Sequence, residues 1–329
     1  MQFGQCMKYK TLKVAFAVMC LSGCVTTGSA LSPDNANKTV STQSVEAMSK
    51  AEFYSLTDRV YGTQPVPVEI FFPKNAKHPY PLIIYQHGSS RDGFVFEGRI
   101  GKSDEHGSRL KKAAIESGFA FAALDAYEGK GLSPSDKRAF PRAEAYAKQL
   151  RKMLLAKYPE LDPSNTFYSG FSYGGDSVMN QMYAPFEGWR ALVAAEPSCN
   201  VAAEPKPIPF PVLILKGTQS HYYPIACKLV TERHQKLGNP VELSLLEGGN
   251  HYFSLNGEII KNGIALNGCS KNPIFIDGPV FRHFDGTLIE RDGIDKCFTS
   301  ESGTGKSREL LNNAISQTIA FFTKHRLTN

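Results

Sequence analysis

A serine set between glycines and a histidine behind a pair of glycines are the residues of this chain whose types and spacing could attack a carbonyl and move a proton. Gly170-Phe171-Ser172-Tyr173-Gly174 reads G-x-S-x-G. A sharp turn from strand into helix crowds the backbone on both sides of such a serine, so glycine is needed there. The same turn sets the hydroxyl at a helix N-terminus, where amides favour a developing oxyanion. The plainer alternative is a glycine turn with a capping serine. A nucleophilic serine needs a base, and Gly248-Gly249-Asn250-His251 offers His251 just after the last apolar run, in chain order after the serine. A surface histidine is the bland alternative. The loop His87-Gly88-Ser89-Ser90 lies where a second oxyanion donor would stand, so the backbone amides of Tyr173 and Ser89 are the expected pair, with His87 bracing the loop.

These residues need a frame, and the chain alternates apolar runs with helical stretches. PVEIFF (67–72), PLIIYQ (81–86), FAFAAL (119–124), NTFYSG (165–170), RALVAA (190–195), PVLILK (211–216) and PVELSLL (240–246) read as strands buried on both faces. Between them, Ala143, Ala147, Leu150 and Leu154 make one face of a helix whose Arg142, Lys148, Arg151 and Lys152 point away. The alternation predicts an α/β fold, a parallel sheet with helices on both sides, and ligands on such sheets bind at the carboxyl ends of the strands.

The N-terminus has a different character. Lys8, Lys10 and Lys13 precede an apolar run from Val14 to Leu21 that is too short to span a bilayer, as in a secretory signal. Its end, Leu21-Ser22-Gly23-Cys24, resembles the lipobox of bacterial lipoproteins. That resemblance implies a signal peptide over residues 1–23 and lipidation of Cys24. With Val25 next, it also implies an outer-membrane anchor facing the periplasm; an ordinary signal cleaved near Gly28 to Ala30 is the alternative. Residues 24–50 have almost no large apolar groups and read as a tether, leaving a domain over 51–329. Loss of residues 1–23 removes three lysines and no acid, so the net charge of +6 falls to +3, too little for a nucleic-acid partner. SGTGKS (302–307 in the chain's last quarter) lacks the first glycine of a phosphate loop.

Beyond Cys24, the cysteines left after processing are Cys199, Cys227, Cys269 and Cys297, an even number that favours disulfides in an exported chain. Four cysteines allow three pairings, and closeness in the chain favours Cys199 with Cys227 and Cys269 with Cys297. The segment 254–306 is long, irregular and rich in Gly and Asn, as lids or binding surfaces are. Its aspartates show no metal-loop spacing, and no metal site is expected.

From about residue 66 to 329 the chain resembles the dienelactone hydrolase family of α/β-hydrolases. QHGSS (86–90), LDAYEGKGLSP (124–134), GFSYGG (170–175) and GGNHYF (248–253), followed by the closing helix AISQTIAFFTKH, carry the resemblance. It implies an α/β-hydrolase fold and cleavage of a carboxylic ester or lactone through an acyl-enzyme, with no metal and no cofactor. Two departures stand out. The enzymes that name the family use a cysteine where this chain has Ser172. More seriously, the strand equivalent to PVLILK is followed in the family by G-x-x-D, and here by Gly217-Thr218-Gln219-Ser220.

The best substitute for the missing acid is Glu196, at the tip of RALVAAEP, which preserves the order Ser172, Glu196, His251. A plain loop carboxylate is the alternative, and Asp176, carried away by its helix, is a weaker choice. Two rival functions remain open: a peptidase resembling the prolyl oligopeptidase group, whose elbow can also read SYGG, and an envelope binding lipoprotein that kept the shell and lost its acid.

Overall fold

The computed structural model describes residues 47–74, 76–90, 105–132, 138–199, 204–220, 222, 224–254, 264–265, 274–277, 280–283, 285–289, 299–300 and 306–328. The signal, Cys24, most of the tether, Cys269 and Cys297 lie outside the described residues.

An eight-stranded sheet has the order β1-β2-β4-β3-β5-β6-β7-β8. Its strands are β1 (Ala47–Asp58), β2 (Gly62–Pro73), β3 (Tyr80–Gln86), β4 (Ala120–Leu124), β5 (Leu161–Phe171), β6 (Ala191–Ala195), β7 (Val212–Gly217) and β8 (Val241–Leu246). From β4 to β8 every neighbouring pair is parallel; β1 and β2 form an antiparallel hairpin, and β2 joins β4 antiparallel. Crossover helices α1 (His106–Glu116), α2 (Ala143–Lys157), α3 (Tyr173–Tyr183) and α4 (Pro224–Lys236) connect the parallel strands, and α5 (Arg308–His325) closes the chain. Ser307 caps α5, its hydroxyl accepting from the Leu310 amide.

Period-two alternation sends each inner strand's side chains to two cores. In β3, Leu82 and Ile84 pack with residues of α2, α3 and α4, while Ile83 and Tyr85 pack with α1 and α5. Burial on both faces is what makes these strands continuous apolar runs, each large side chain contributing about 1.5–3 kcal/mol. In α2, Ala143, Ala147, Leu150 and Leu154 are all fully buried, and Lys152 on the opposite face is exposed.

The edges differ from the expected pattern. β8 is an edge strand rather than one buried on both faces, with Leu245 half exposed. β1 begins at Ala47, ahead of the expected domain start at residue 51. It carries no apolar run because only one of its faces is covered, through Tyr54 and Leu56. The Gln149 side-chain amide meets both backbone groups of Thr57, Oε1 accepting from its N–H at 3.1 Å and Nε2 donating to its carbonyl at 2.7 Å. That contact blunts the outer edge of the sheet. Short pairs β10 (Ile274–Asp277) with β11 (Val280–His283) and β9 (Ile264–Ala265) with β12 (Thr299–Ser300) are the described strands of the 254–306 segment.

Candidate active site

The turn from β5 into α3 is built by clearance. Ser172 has φ 54° and ψ −117°, a conformation that L side chains rarely adopt. A Cβ on Gly170 would stand 2.4 Å from the Gly174 carbonyl, and one on Gly174 would stand 2.1 Å from the Gln86 carbonyl oxygen. Only glycine lets β5, α3 and the end of β3 meet. The Ser172 amide donates to Ala195 O at 2.9 Å, which ties the turn to the end of β6.

Ser172 Oγ stands 2.9 Å from His251 Nε2, and His251 Nδ1 stands 3.1 Å from Glu196 Oε2. The three side chains come from three separate strand ends, after β5, β6 and β8. His251 is held from several sides: its ring meets Phe171 at 5.7 Å and Tyr222 at 5.3 Å, and the preceding Asn250 accepts from the Tyr252 amide at 2.9 Å. The loop after β7 is laced to the histidine loop, Gln219 N donating to Gly249 O at 2.8 Å and Gly248 N to Thr218 Oγ1 at 2.9 Å.

Glu196 is fully buried and, like Ser172, sits at positive φ, 52°. Besides His251 it accepts from Ser220 Oγ at 2.8 Å, Lys216 Nζ at 3.1 Å and the Gly217 amide at 2.5 Å. Burial pushes its carboxyl up, but Lys216, His251 and the Gly217 amide outweigh that, and the net effect lowers it to about 2. Ser220, in the place where the resemblance expects an acid, is thus a donor to the acid that lies one strand away. Gly217 makes the meeting possible, since a Cβ there would stand 2.2 Å from Gly249 O and 3.0 Å from Glu196 Oε1.

Asp176 is elsewhere: its Oδ1 accepts from the Ser198 amide at 2.7 Å and the Ser198 hydroxyl at 2.9 Å, holding the turn that follows Glu196. Burial lifts its carboxyl to about 6, against the lowering effect of Ser198. The next residue, Cys199, is bonded to Cys227 of α4, the pairing that chain closeness favours. His87 braces the loop after β3. Its Nε2 accepts from the Ala126 amide at 3.1 Å and its Nδ1 lies 2.6 Å from Gly88 O, so the proton sits on Nδ1. Gly88 abuts the elbow, where an added Cβ would lie 3.3 Å from Ser172 Cβ, and Ser89 is the next residue in the chain after it. Beside the first turn of α3 a cavity of about 320 Å³ opens among Phe140, Tyr173, Asp176 and Asn180. No group of histidine, cysteine, aspartate and glutamate able to hold a metal occurs among the described residues.

Lys216 and Tyr222 are not legible in the sequence as members of this site, and Ser220 is legible only as the position where the resemblance expects an acid. Lys216 ends an apolar strand, and the one available signal was a lysine with no reason to be buried there.

No protein-family model and no curated protein matches the chain. Among solved structures, it is similar to one described as a dienelactone hydrolase from Klebsiella pneumoniae subsp. pneumoniae, with TM-score 0.53 and 16% identity, over 84% of this chain and 99% of that one. It is also similar to a dienelactone hydrolase-like promiscuous phosphotriesterase from metagenomic libraries, with TM-score 0.52 and 13% identity, over 84% of this chain and 98% of that one. At such identities the likeness is one of architecture, and together with the strand order it establishes that this chain has the α/β-hydrolase fold.

Proposed function

We propose that the protein is a serine hydrolase that cleaves a small carboxylic ester or lactone through an acyl-enzyme. The observation that carries this reading is the unbroken relay from Ser172 Oγ through His251 to a buried, ionised Glu196. Ser172 Oγ attacks the carbonyl carbon while His251 Nε2 takes its proton, and the carbonyl oxygen becomes an oxyanion held by the amides of Tyr173 and Ser89 at the mouth of α3. Glu196 keeps the second proton of His251 on Nδ1 and offsets the imidazolium that forms. Collapse of the intermediate breaks the ester bond as His251 returns its proton to the leaving oxygen. Water then repeats the attack on the acyl carbon, giving up its proton to His251, and Ser172 is regenerated as the acid product leaves.

Ser220, which motivated the binding-protein reading, supports the hydrolase instead, because its hydroxyl helps hold the carboxylate that stands in for the missing acid. The lipid anchor at Cys24 and an outer-membrane, periplasm-facing location belong to the same proposal and rest on the sequence of the first residues. The test is hydrolysis of p-nitrophenyl esters and simple lactones by the full chain and by a folded Ser172→Ala, with fluorophosphonate labelling of both. Turnover and label that vanish together in Ser172→Ala support the reading. A parent that neither hydrolyses these substrates nor takes the label overturns it.

A further inference from the structure

The site holds a cation that the relay itself does not require. Lys216 is fully buried at the end of β7. Its Nζ donates to Glu196 Oε2 at 3.1 Å and to Pro197 O at 2.8 Å, and it lies 5.6 Å from the centre of the Tyr222 ring. The same carboxylate oxygen faces His251 Nδ1, also at 3.1 Å, so ammonium and imidazole are separated by no more than twice that distance. Taking an ammonium out of water is costly. Glu196 already has Ser220, the Gly217 amide and His251 to fix its orientation. What Lys216 adds beyond its hydrogen bonds to the carboxylate and to Pro197 O is charge.

In a serine–histidine–acid relay the free charge of the acid favours the imidazolium. Here that charge is already offset before any proton moves. We propose that Lys216 is a positioning residue of the relay that holds Glu196 ionised and at the same time makes His251 a weaker base, so that the base stays neutral and the reaction runs in more acidic solution than an uncompensated relay allows. The inference rests on reading Ser172, His251 and Glu196 as a relay.

Among the described residues, the other groups facing the pair do not supply this effect. Ser172 comes from the elbow, Ser220 and Tyr222 from the loop after β7, and Tyr252 from the histidine loop; all are neutral near pH 7. His106 of α1 feels the Glu196 charge, but burial lowers it to about 3 and keeps it neutral. Asp176 of α3 feels Lys216 and is turned toward Ser198. Among the described residues, Lys216 is the cation in contact with the carboxylate. Its charge opposes a proton added to the Glu196–His251 pair on either member, so the direction of the effect does not depend on which one takes it.

The test titrates His251 in the full chain in two ways, by NMR of its ring and by the acidic limb of kcat/KM on a p-nitrophenyl ester, in the parent, in Lys216→Met and in Ser220→Ala. In Lys216→Met both readouts are expected to move up by about one to two pH units, the effect of one charge within about 6 Å in a partly screened interior. Ser220→Ala removes a donor to the same oxygen without removing charge, and is expected to leave both within about half a unit. An unmoved His251 in Lys216→Met, or an equal shift in Ser220→Ala, overturns the proposal. If Lys216→Met does not fold, Lys216→Gln carries the same comparison: His251 moved up by about one unit or more supports the proposal, and an unmoved His251 overturns it. A parent inert toward esters defeats the hydrolase reading alone, because the NMR titration still decides the role of Lys216.

Discussion

The turns after β5 and β6 are neighbours in the sheet, and each holds a member of the proposed relay at nearly the same strained backbone angle, φ 54° at Ser172 and φ 52° at Glu196. They hold it by different means. The serine turn is fixed by sterics, through glycines with no room for a methyl group. The glutamate turn is fixed mainly by polar and covalent ties, with clearance at Gly217 in support: Lys216, Ser220 and Gly217 on the carboxylate, Asp176 on Ser198, and the Cys199–Cys227 bond just beyond. Steric clearance is written in the residues of the turn itself, whereas polar ties are written in residues far along the chain.

This contrast can be broken at either turn. The largest expected effect is at the acid: Glu196→Gln should lower kcat on the best ester by about 10³–10⁴, because an amide neither holds the Nδ1 proton in place nor offsets imidazolium. Circular dichroism and urea unfolding must accompany the kinetics, since Lys216 then loses its counter-charge. A loss under tenfold would mean that the glutamate turn is structural only. Next, Gly174→Ala should cost about 3 kcal/mol or more in urea unfolding, because the added methyl meets the backbone carbonyl of Gln86 and no side chain can yield. A cost below about 1 kcal/mol would show that the serine turn is not held by clearance.

The smallest effect concerns the link between the turns. Asp176 has its carboxyl raised to about 6, above its ordinary unfolded value of about 3.9. A group raised in this way contributes stability below the unfolded value that is lost as pH climbs through the folded one. Asp176→Asn does not titrate. Its stability relative to the parent should therefore improve by about 2 kcal/mol between pH 4 and pH 8, read from urea unfolding at both. A flat difference across that range would mean that the Ser198 hydrogen bonds fully offset the burial of the carboxyl.

The same contrast explains what could be read in advance. The inner strands and helices were legible because burial on two faces leaves unbroken apolar runs, and α2 shows its buried face at helical spacing. Ser172 and His251 were legible because local glycines and chain order mark them. β1 was not, since a one-faced edge strand carries half the signal, and β8 was misread for the same reason. Glu196 was reached through the absence of an acid at Ser220, not through any signal of its own. Lys216 was missed because an ion pair between adjacent strand ends leaves no periodic trace.

The Ser220 hydroxyl, 2.8 Å from Glu196 Oε2, also sets an evolutionary constraint. A carboxylate introduced at 220 would press against the one at 196 and compete with it for a single lysine, and two such groups cannot both ionise in contact. Acids at both places would therefore leave one of the two protonated. A lineage that moves the acid from one place to the other passes either through a pair sharing one charge or through an ancestor with neither acid.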